Sequence, residues 1–228
     1  MSFFGAIGSA IGSVCSGLGS ALGSMGGALA RGISSALSVV GPLLGPGLSA
    51  VSKIAQVLFH AVGIFKEQET PEKIGRQVIK GAEEGIHPEA YARYEEYLDA
   101  IRGVTITDVD RQKIDKNTAT VTGVFVGCRT IEDKFELKEG SGESLMKLMF
   151  IAPDYFSSSR LEQVIKAGGY INDIMKYFDN KLVPSKSQLV LDDLFSIEKT
   201  LNPDANQTLH DQKIDKIESN YQQQKNHA

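Results

Sequence analysis

The side chains best suited to metal binding are few and widely spaced in this sequence. They are four histidines and two cysteines: His60, His87, His210, His227, Cys15 and Cys128. No histidine stands at metal-ligand spacing from either cysteine, and two cysteines in 228 residues exclude a disulfide scaffold. We therefore expect no metal centre and no cofactor.

Sequence motifs for nucleophilic or nucleotide chemistry are also missing. Neither G-x-S-x-G nor a P-loop occurs, and the segment 17–23 departs from G-x-G-x-x-G by one residue. The adjacent carboxylates Asp192-Asp193 and Glu83-Glu84 point to different sides of a helix, which is typical of solvated surface. The chain is expected not to be an enzyme, and an enzyme of unrecognised type is kept as an alternative.

Charge divides the chain into two physically different parts. The net charge of −4 argues against a nucleic-acid partner, which requires a basic surface. Residues 1–65 contain only Arg31 and Lys53 as charged side chains, whereas all 28 acidic residues follow. We predict an apolar segment over 1–65 for membrane insertion and oligomerisation, a helical domain over 66–202 and a polar tail over 203–228.

The first part carries a helical repeat rather than the irregular pattern of a linker. Large apolar residues recur about every 3.7 positions, the period of an eleven-residue helical repeat. This apolar stripe consists of Ile7, Ile11, Val14, Leu18, Leu22, Met25, Leu29 and Ile33. Its interior glycines cost up to about 1 kcal/mol each in an isolated helix. The stabilisation must therefore come from a bilayer, from other copies of the chain or from a partner's groove.

Small residues form complementary stripes on this predicted helix. Glycines at helical spacing let helix backbones approach closely, so they are candidates for an oligomer interface: Gly8, Gly12, Gly19, Gly23, Gly27 and Gly32. A narrow pore would be lined by hydroxyl groups, for which the candidates are Ser9, Ser13, Ser16, Ser20 and Ser24. Arg31 would sit at a pore mouth or set the orientation.

A second apolar helix is predicted at Leu48–Phe65, after a bend at Pro42 and Pro46. The two arms form a helical hairpin, and either is long enough to span a hydrocarbon core. Glycine and serine dilute the apolar character, which favours conditional insertion over a permanent span. Two other interpretations are a buried core hairpin of a soluble protein and a disordered leader. The first residues lack the basic start of a secretory signal peptide.

The rest of the sequence predicts an all-α domain of several helices. Thr70-Pro71 begins one helix that ends at Gly85, and His87-Pro88 begins the next. Further helices are expected over 118–135, 144–152, 157–168, 169–182 and 185–201. Tyrosines and phenylalanines at 155–156, 170 and 177–178 are expected in the core, and the tail as a frayed helix or disordered.

Three short segments resemble the antibacterial pore-forming effectors of the type VI secretion system. They are Pro71-Glu72-Lys73-Ile74-Gly75, Ala82-Glu83-Glu84-Gly85-Ile86 and Pro153-Asp154-Tyr155-Phe156, which follow an unsignalled glycine-zipper segment. The resemblance implies synthesis in the bacterial cytoplasm, secretion inside a ring-shaped tube protein and action at the inner membrane of a target cell. It also implies small ion-selective pores that depolarise that membrane, and a cognate membrane immunity protein in the producer.

Two non-enzymatic alternatives belong to other classes. One is a structural or membrane-penetrating component of a phage particle or contractile injection device, which would use the same apolar hairpin for packing or entry. The other is a non-lytic helical adaptor whose N-terminus docks in a partner's groove.

Overall fold

The computed structural model describes residues 48–168 and 170–226, and all regular structure in these ranges is helical. The α-helices are α1 Leu48–Ala61, α2 Pro71–Glu83, α3 Tyr94–Arg102, α4 Asp108–Lys113, α5 Lys116–Lys134, α6 Ser141–Ile151, α7 Ser158–Lys166, α8 Ile171–Phe178, α9 Pro184–Leu201 and α10 Gln207–Asn226. A short 3₁₀ helix spans Pro88–Ala90. The all-α prediction is confirmed for the described residues.

The described chain forms two compact units that divide between Glu143 and Ser144. We refer to residues 48–143 as unit 1 and to residues 144–226 as unit 2. The division falls within α6. The domain boundaries predicted from charge, near residues 65 and 202, remain predictions.

Helix α5 is the centre of unit 1. Asp115 caps its N-terminus by accepting a hydrogen bond from the backbone N–H of Thr118, and nearly all of its side chains up to Glu132 are buried. The high threonine and valine content of this segment also suits a strand. The helix tolerates the threonines because the hydroxyls of Thr120, Thr122 and Thr130 donate to carbonyl groups four residues earlier. The predicted helix is therefore confirmed.

Helices α2 and α5 cross with their backbones in direct contact. A Cβ atom placed on Gly75 of α2 would lie 1.7 Å from the carbonyl oxygen of Ala119. A Cβ atom placed on Gly123 of α5 would lie 1.9 Å from the carbonyl oxygen of Pro71. Only glycine fits at these two positions, so the packing of unit 1 depends on them.

The predicted ends of α2 are confirmed, but the predicted start of the next helix is wrong. Thr70 caps α2 by accepting from Lys73 N–H at 3.1 Å, and Gly85 follows its end with a φ of +84°. The next α-helix begins at Tyr94, six residues after Pro88. The carboxylate of Asp133 on α5 accepts the backbone N–H of Tyr94 at 3.0 Å. This tertiary contact caps α3 where the sequence offers no local cap.

Unit 2 contains the remaining predicted helices. Helices α7, α8 and α9 occupy the segments expected at 157–168, 169–182 and 185–201. Tyr155, Phe156, Tyr177 and Phe178 are buried as expected, whereas Tyr170 is half exposed. The tail, expected to be frayed or disordered, forms the 20-residue helix α10.

Candidate functional site

The residues predicted to pack, insert and line a pore lie outside the described residues. The glycine stripe, the apolar stripe, the serines and the two prolines of the bend all precede Leu48. The described part of the predicted hairpin is its second arm, which is the first helix of unit 1.

The second arm is shorter than predicted and one of its faces is buried. The helix ends at Ala61 instead of Phe65, and Gly63 then adopts a φ of +69°. Val51, Ala55, Leu58 and Phe59 are at most 2% exposed. The Phe59 ring lies against the backbone of α5 at Gly127, where an added Cβ would be 2.3 Å from Phe59 Cε2. The arm is thus part of the core of unit 1.

A polar clamp holds the chain that leaves α1. Arg102 on α3 donates to both carboxylate oxygens of Glu69, at 2.7 and 2.8 Å, and to the carbonyl of Ile64 at 2.8 Å. The Glu69 carboxylate also accepts a hydrogen bond from the backbone N–H of Lys66. The backbone carbonyl of Glu69 accepts a hydrogen bond from His60 Nε2. The two parallel hydrogen bonds between Arg102 and Glu69 fix the relative orientation of the two side chains, in addition to their charge attraction.

Charge in the clamp favours the ionised carboxylate. Burial alone raises the pKa of Glu69, but the hydrogen bonds from Arg102 and from the Lys66 backbone N–H, together with the positive charge of Arg102, outweigh it. The pKa of Glu69 therefore lies below its ordinary value. The clamp stabilises unit 1 above the ordinary carboxyl pKa and loses this contribution as the pH falls through the lowered one.

A second buried cluster joins α5 to the start of α6. Arg129 pairs through Nη1 with Glu132 and through Nη2 with Glu143 at 2.8 Å. Glu132 also accepts the backbone N–H of Gly142 at 3.0 Å. Both glutamates are less than a tenth exposed, so two carboxyl groups share one guanidinium away from water.

This cluster holds a proton more tightly than isolated carboxyl groups do. Burial, together with the charge of Glu143, raises the pKa of Glu132 to about 7, although the Gly142 N–H and Arg129 oppose the shift. The second oxygen of Glu143 receives no hydrogen bond. One proton on the carboxyl pair supplies the missing donor and makes the cluster neutral, because one carboxylate then balances Arg129.

Cys128 lies next to this cluster and is fully buried. A Cβ atom placed on Gly142 would be 2.6 Å from Cys128 Cβ, so the first turn of α6 packs directly on α5 at Cys128. Burial and the neighbouring glutamates raise the pKa of the Cys128 thiol. A buried thiol that stays protonated acts as a small core side chain.

Neither buried cluster was predicted from the sequence. Glu69 and Arg102 are 33 positions apart, and Glu132 and Glu143 are separated by a helix end and a turn. Spacing along the chain does not indicate such pairs, because the turn geometry and the helix packing bring them together.

The described residues contain neither a metal-binding group nor a membrane-length apolar helix. No three His, Cys, Asp or Glu side chains in 48–168 and 170–226 are placed to hold a metal ion. Within the same ranges, no helix combines the length and the hydropathy needed to cross a bilayer. Compared with protein-family models, curated proteins and solved structures, the chain has no match.

Proposed function

We propose that this chain is an antibacterial pore-forming toxin that inserts into the inner membrane of a target cell and depolarises it. The feature that carries the proposal is the nearly uncharged N-terminal segment, with its apolar stripe and its glycine and serine stripes in one helical register. A bilayer drives such a segment into helices despite the glycines, because backbone groups in hydrocarbon must pair internally. Close glycine packing between copies then supports assembly.

The inserted segment is proposed to end before Leu48. Helix α1 has 14 residues and is about 21 Å long, whereas the hydrocarbon core is about 30 Å thick. Removing α1 from unit 1 would also withdraw the Phe59 ring from the backbone of α5 at Gly127 and expose the buried Leu58. Each such side chain stabilises by about 1.5–3 kcal/mol when buried. We therefore propose that only the first arm inserts into the membrane, and that α1 stays packed in unit 1.

The proposal also includes the partners that the resemblance implies. In the producing cell these are a secretion-tube protein that shields the apolar segment and a membrane immunity protein that protects the cell. In the target cell they are inner-membrane lipid and further copies of the chain. Serine hydroxyls lining a narrow pore would pass small ions in preference to metabolites.

The decisive experiment delivers the full chain to the periplasm of a test bacterium and follows a potential-sensitive dye. We expect depolarisation without leakage of a large fluorescent solute, as a small pore requires. An unchanged membrane potential, with the protein present in the periplasm, would refute the proposed activity.

A pair of variants tests whether the glycine stripe forms the pore interface. Gly19→Leu with Gly23→Leu adds bulk to the stripe and should abolish depolarisation at unchanged expression. The matched control, Ala10→Leu with Ala21→Leu, adds bulk elsewhere on the same predicted helix and should remain active. Full activity of the glycine variant would show that the stripe is not the interface.

A further inference from the structure

Unit 2 contains a buried polar chain that the proposed function does not use. The hydroxyl of Tyr155 lies 2.7 Å from His210 Nε2, and Asp211 Oδ1 lies 3.5 Å from His210 Nδ1. His210 is 4% exposed and Tyr155 is 2% exposed. Because a carboxylate only accepts, Nδ1 carries the proton of the neutral imidazole, and Nε2 accepts from the tyrosine hydroxyl.

Charged groups of both signs lie around the Tyr155–His210 pair. The guanidinium of Arg160 on α7 lies 4.0 Å from the centre of the Tyr155 ring, and Lys213 Nζ lies 5.1 Å from it. Protonation of His210 therefore adds a positive charge at a site with two nearby carboxylates. Glu198 on α9 is already paired with Arg160, and Asp211 is partly exposed to water.

Helix α10 depends strongly on this contact, because little apolar surface holds it. Of its described side chains, only His210 and Ile214 are buried. Its C-terminal half is attached to α8 and the residue after it by polar contacts. Glu218 accepts from the Tyr177 hydroxyl at 2.9 Å, and Asp179 accepts from Tyr221 at 3.0 Å and from Lys225 at 3.2 Å.

We propose that His210 is a proton-operated latch that holds α10 on unit 2 when it is neutral and releases the helix when it is protonated. Protonation removes the acceptor for the Tyr155 hydroxyl and places a charge in a buried site beside Arg160. The polar contacts of the C-terminal half cannot hold the helix alone, because water replaces each of them at little cost.

The direction of the pH dependence follows from the burial of His210. Burial lowers the pKa of His210, and Arg160 acts in the same direction, although Asp211 and Glu198 oppose them. The unfolded or released state therefore binds the proton more readily. The latch is closed above the ordinary histidine pKa of about 6.5 and opens as the pH falls through the lowered value.

Nuclear magnetic resonance of the full-length chain tests the latch. The Cε1–H signals of the four histidines are followed from pH 8 to pH 5. The His210 signal is identified as the one that is missing from the spectrum of His210→Gln. The heteronuclear NOE of the α10 amides is measured in the same samples. We expect these values to fall from those of an ordered helix to those of a mobile segment as His210 is protonated.

Two variants and one control test whether protonation of His210 causes the release of α10. In His210→Gln, α10 should stay ordered at both pH extremes. In Tyr155→Phe, the neutral imidazole loses one hydrogen bond of about 1 kcal/mol, so release should move about 0.7 pH unit higher. His60→Gln, on unit 1, should behave as the wild type does.

Three results would overturn the proposal. The first is an ordered α10 while the His210 imidazole is fully protonated. The second is release of α10 at low pH in His210→Gln, which would assign the pH dependence to another group. The third concerns Tyr155→Phe, which tests the latch even if α10 is mobile at every pH in His210→Gln. An unchanged pH midpoint of α10 release in Tyr155→Phe would contradict the proposal.

Discussion

Replacing Glu143 by glutamine tests the proton shared in the Arg129 cluster. Glutamine keeps the oxygen that accepts from Arg129, and its amide supplies a permanent N–H in place of the shared proton. Glu132 then remains a carboxylate paired with Arg129 and with the backbone N–H of Gly142. The raised pKa of Glu132 should return toward its ordinary value.

The size of the effect follows from the pKa of about 7 in the folded protein and the ordinary value of 4.5. A group with a raised pKa stabilises fully below its unfolded value and loses this contribution as the pH rises. Between pH 5 and pH 8, the wild type should lose about 2–3 kcal/mol of unfolding free energy through Glu132. Glu143→Gln should lose less of it, because the substitution removes the charge of Glu143 but leaves the burial of Glu132 in place.

Urea titrations at pH 5, 6, 7 and 8, followed by far-ultraviolet circular dichroism, measure this difference. Subtracting the variant from the wild type at each pH cancels the titration of groups elsewhere, including His210. The control is Glu139→Gln, which makes the same change on an exposed side chain 3.7 Å from Arg129 and should keep the wild-type slope. Parallel pH profiles for the wild type and Glu143→Gln would refute the shared proton.

Three further substitutions test the packing of unit 1. Gly123→Ala places a Cβ 1.9 Å from a carbonyl oxygen of α2 and should destabilise by more than about 3 kcal/mol in urea titrations, whereas Gly103→Ala should be tolerated. Phe59→Ala should cost about 3–5 kcal/mol and raise hydrogen exchange in α1, unlike Val57→Ala on its exposed face. Glu69→Gln should remove about 1–3 kcal/mol near neutral pH and flatten the acid loss of stability below pH 4.5, measured by denaturation from pH 6 to pH 3.

Local sequence signals determined most of the helices. Thr70-Pro71 and Gly85 set the ends of α2, because a cap and a positive φ depend on neighbouring residues alone. Apolar spacing identified α5 as a helix in spite of its β-branched residues, and the threonine hydroxyls bond within the same helix. These features need no knowledge of the fold.

Contacts between distant parts of the chain decided the remaining features. Asp133 sets the start of α3 from another helix, so no local pattern marks that position. Helix α10 has few apolar residues of its own, and side chains around Tyr155, Tyr177 and Asp179 hold it in place. A sequence window that covers only the tail therefore indicates a frayed end.

The sequence by itself determined that an apolar, nearly uncharged N-terminal segment precedes a charged all-α part, because composition and helical period are properties of consecutive residues. Only the tertiary structure decided that the second apolar arm belongs to the core of unit 1, since its amphipathic pattern suits a lipid surface as well as a groove on α5. The tertiary structure alone also brought Glu132 to Glu143 and Tyr155 to His210. Buried polar pairs form wherever helix packing excludes water, and packing depends on the whole chain.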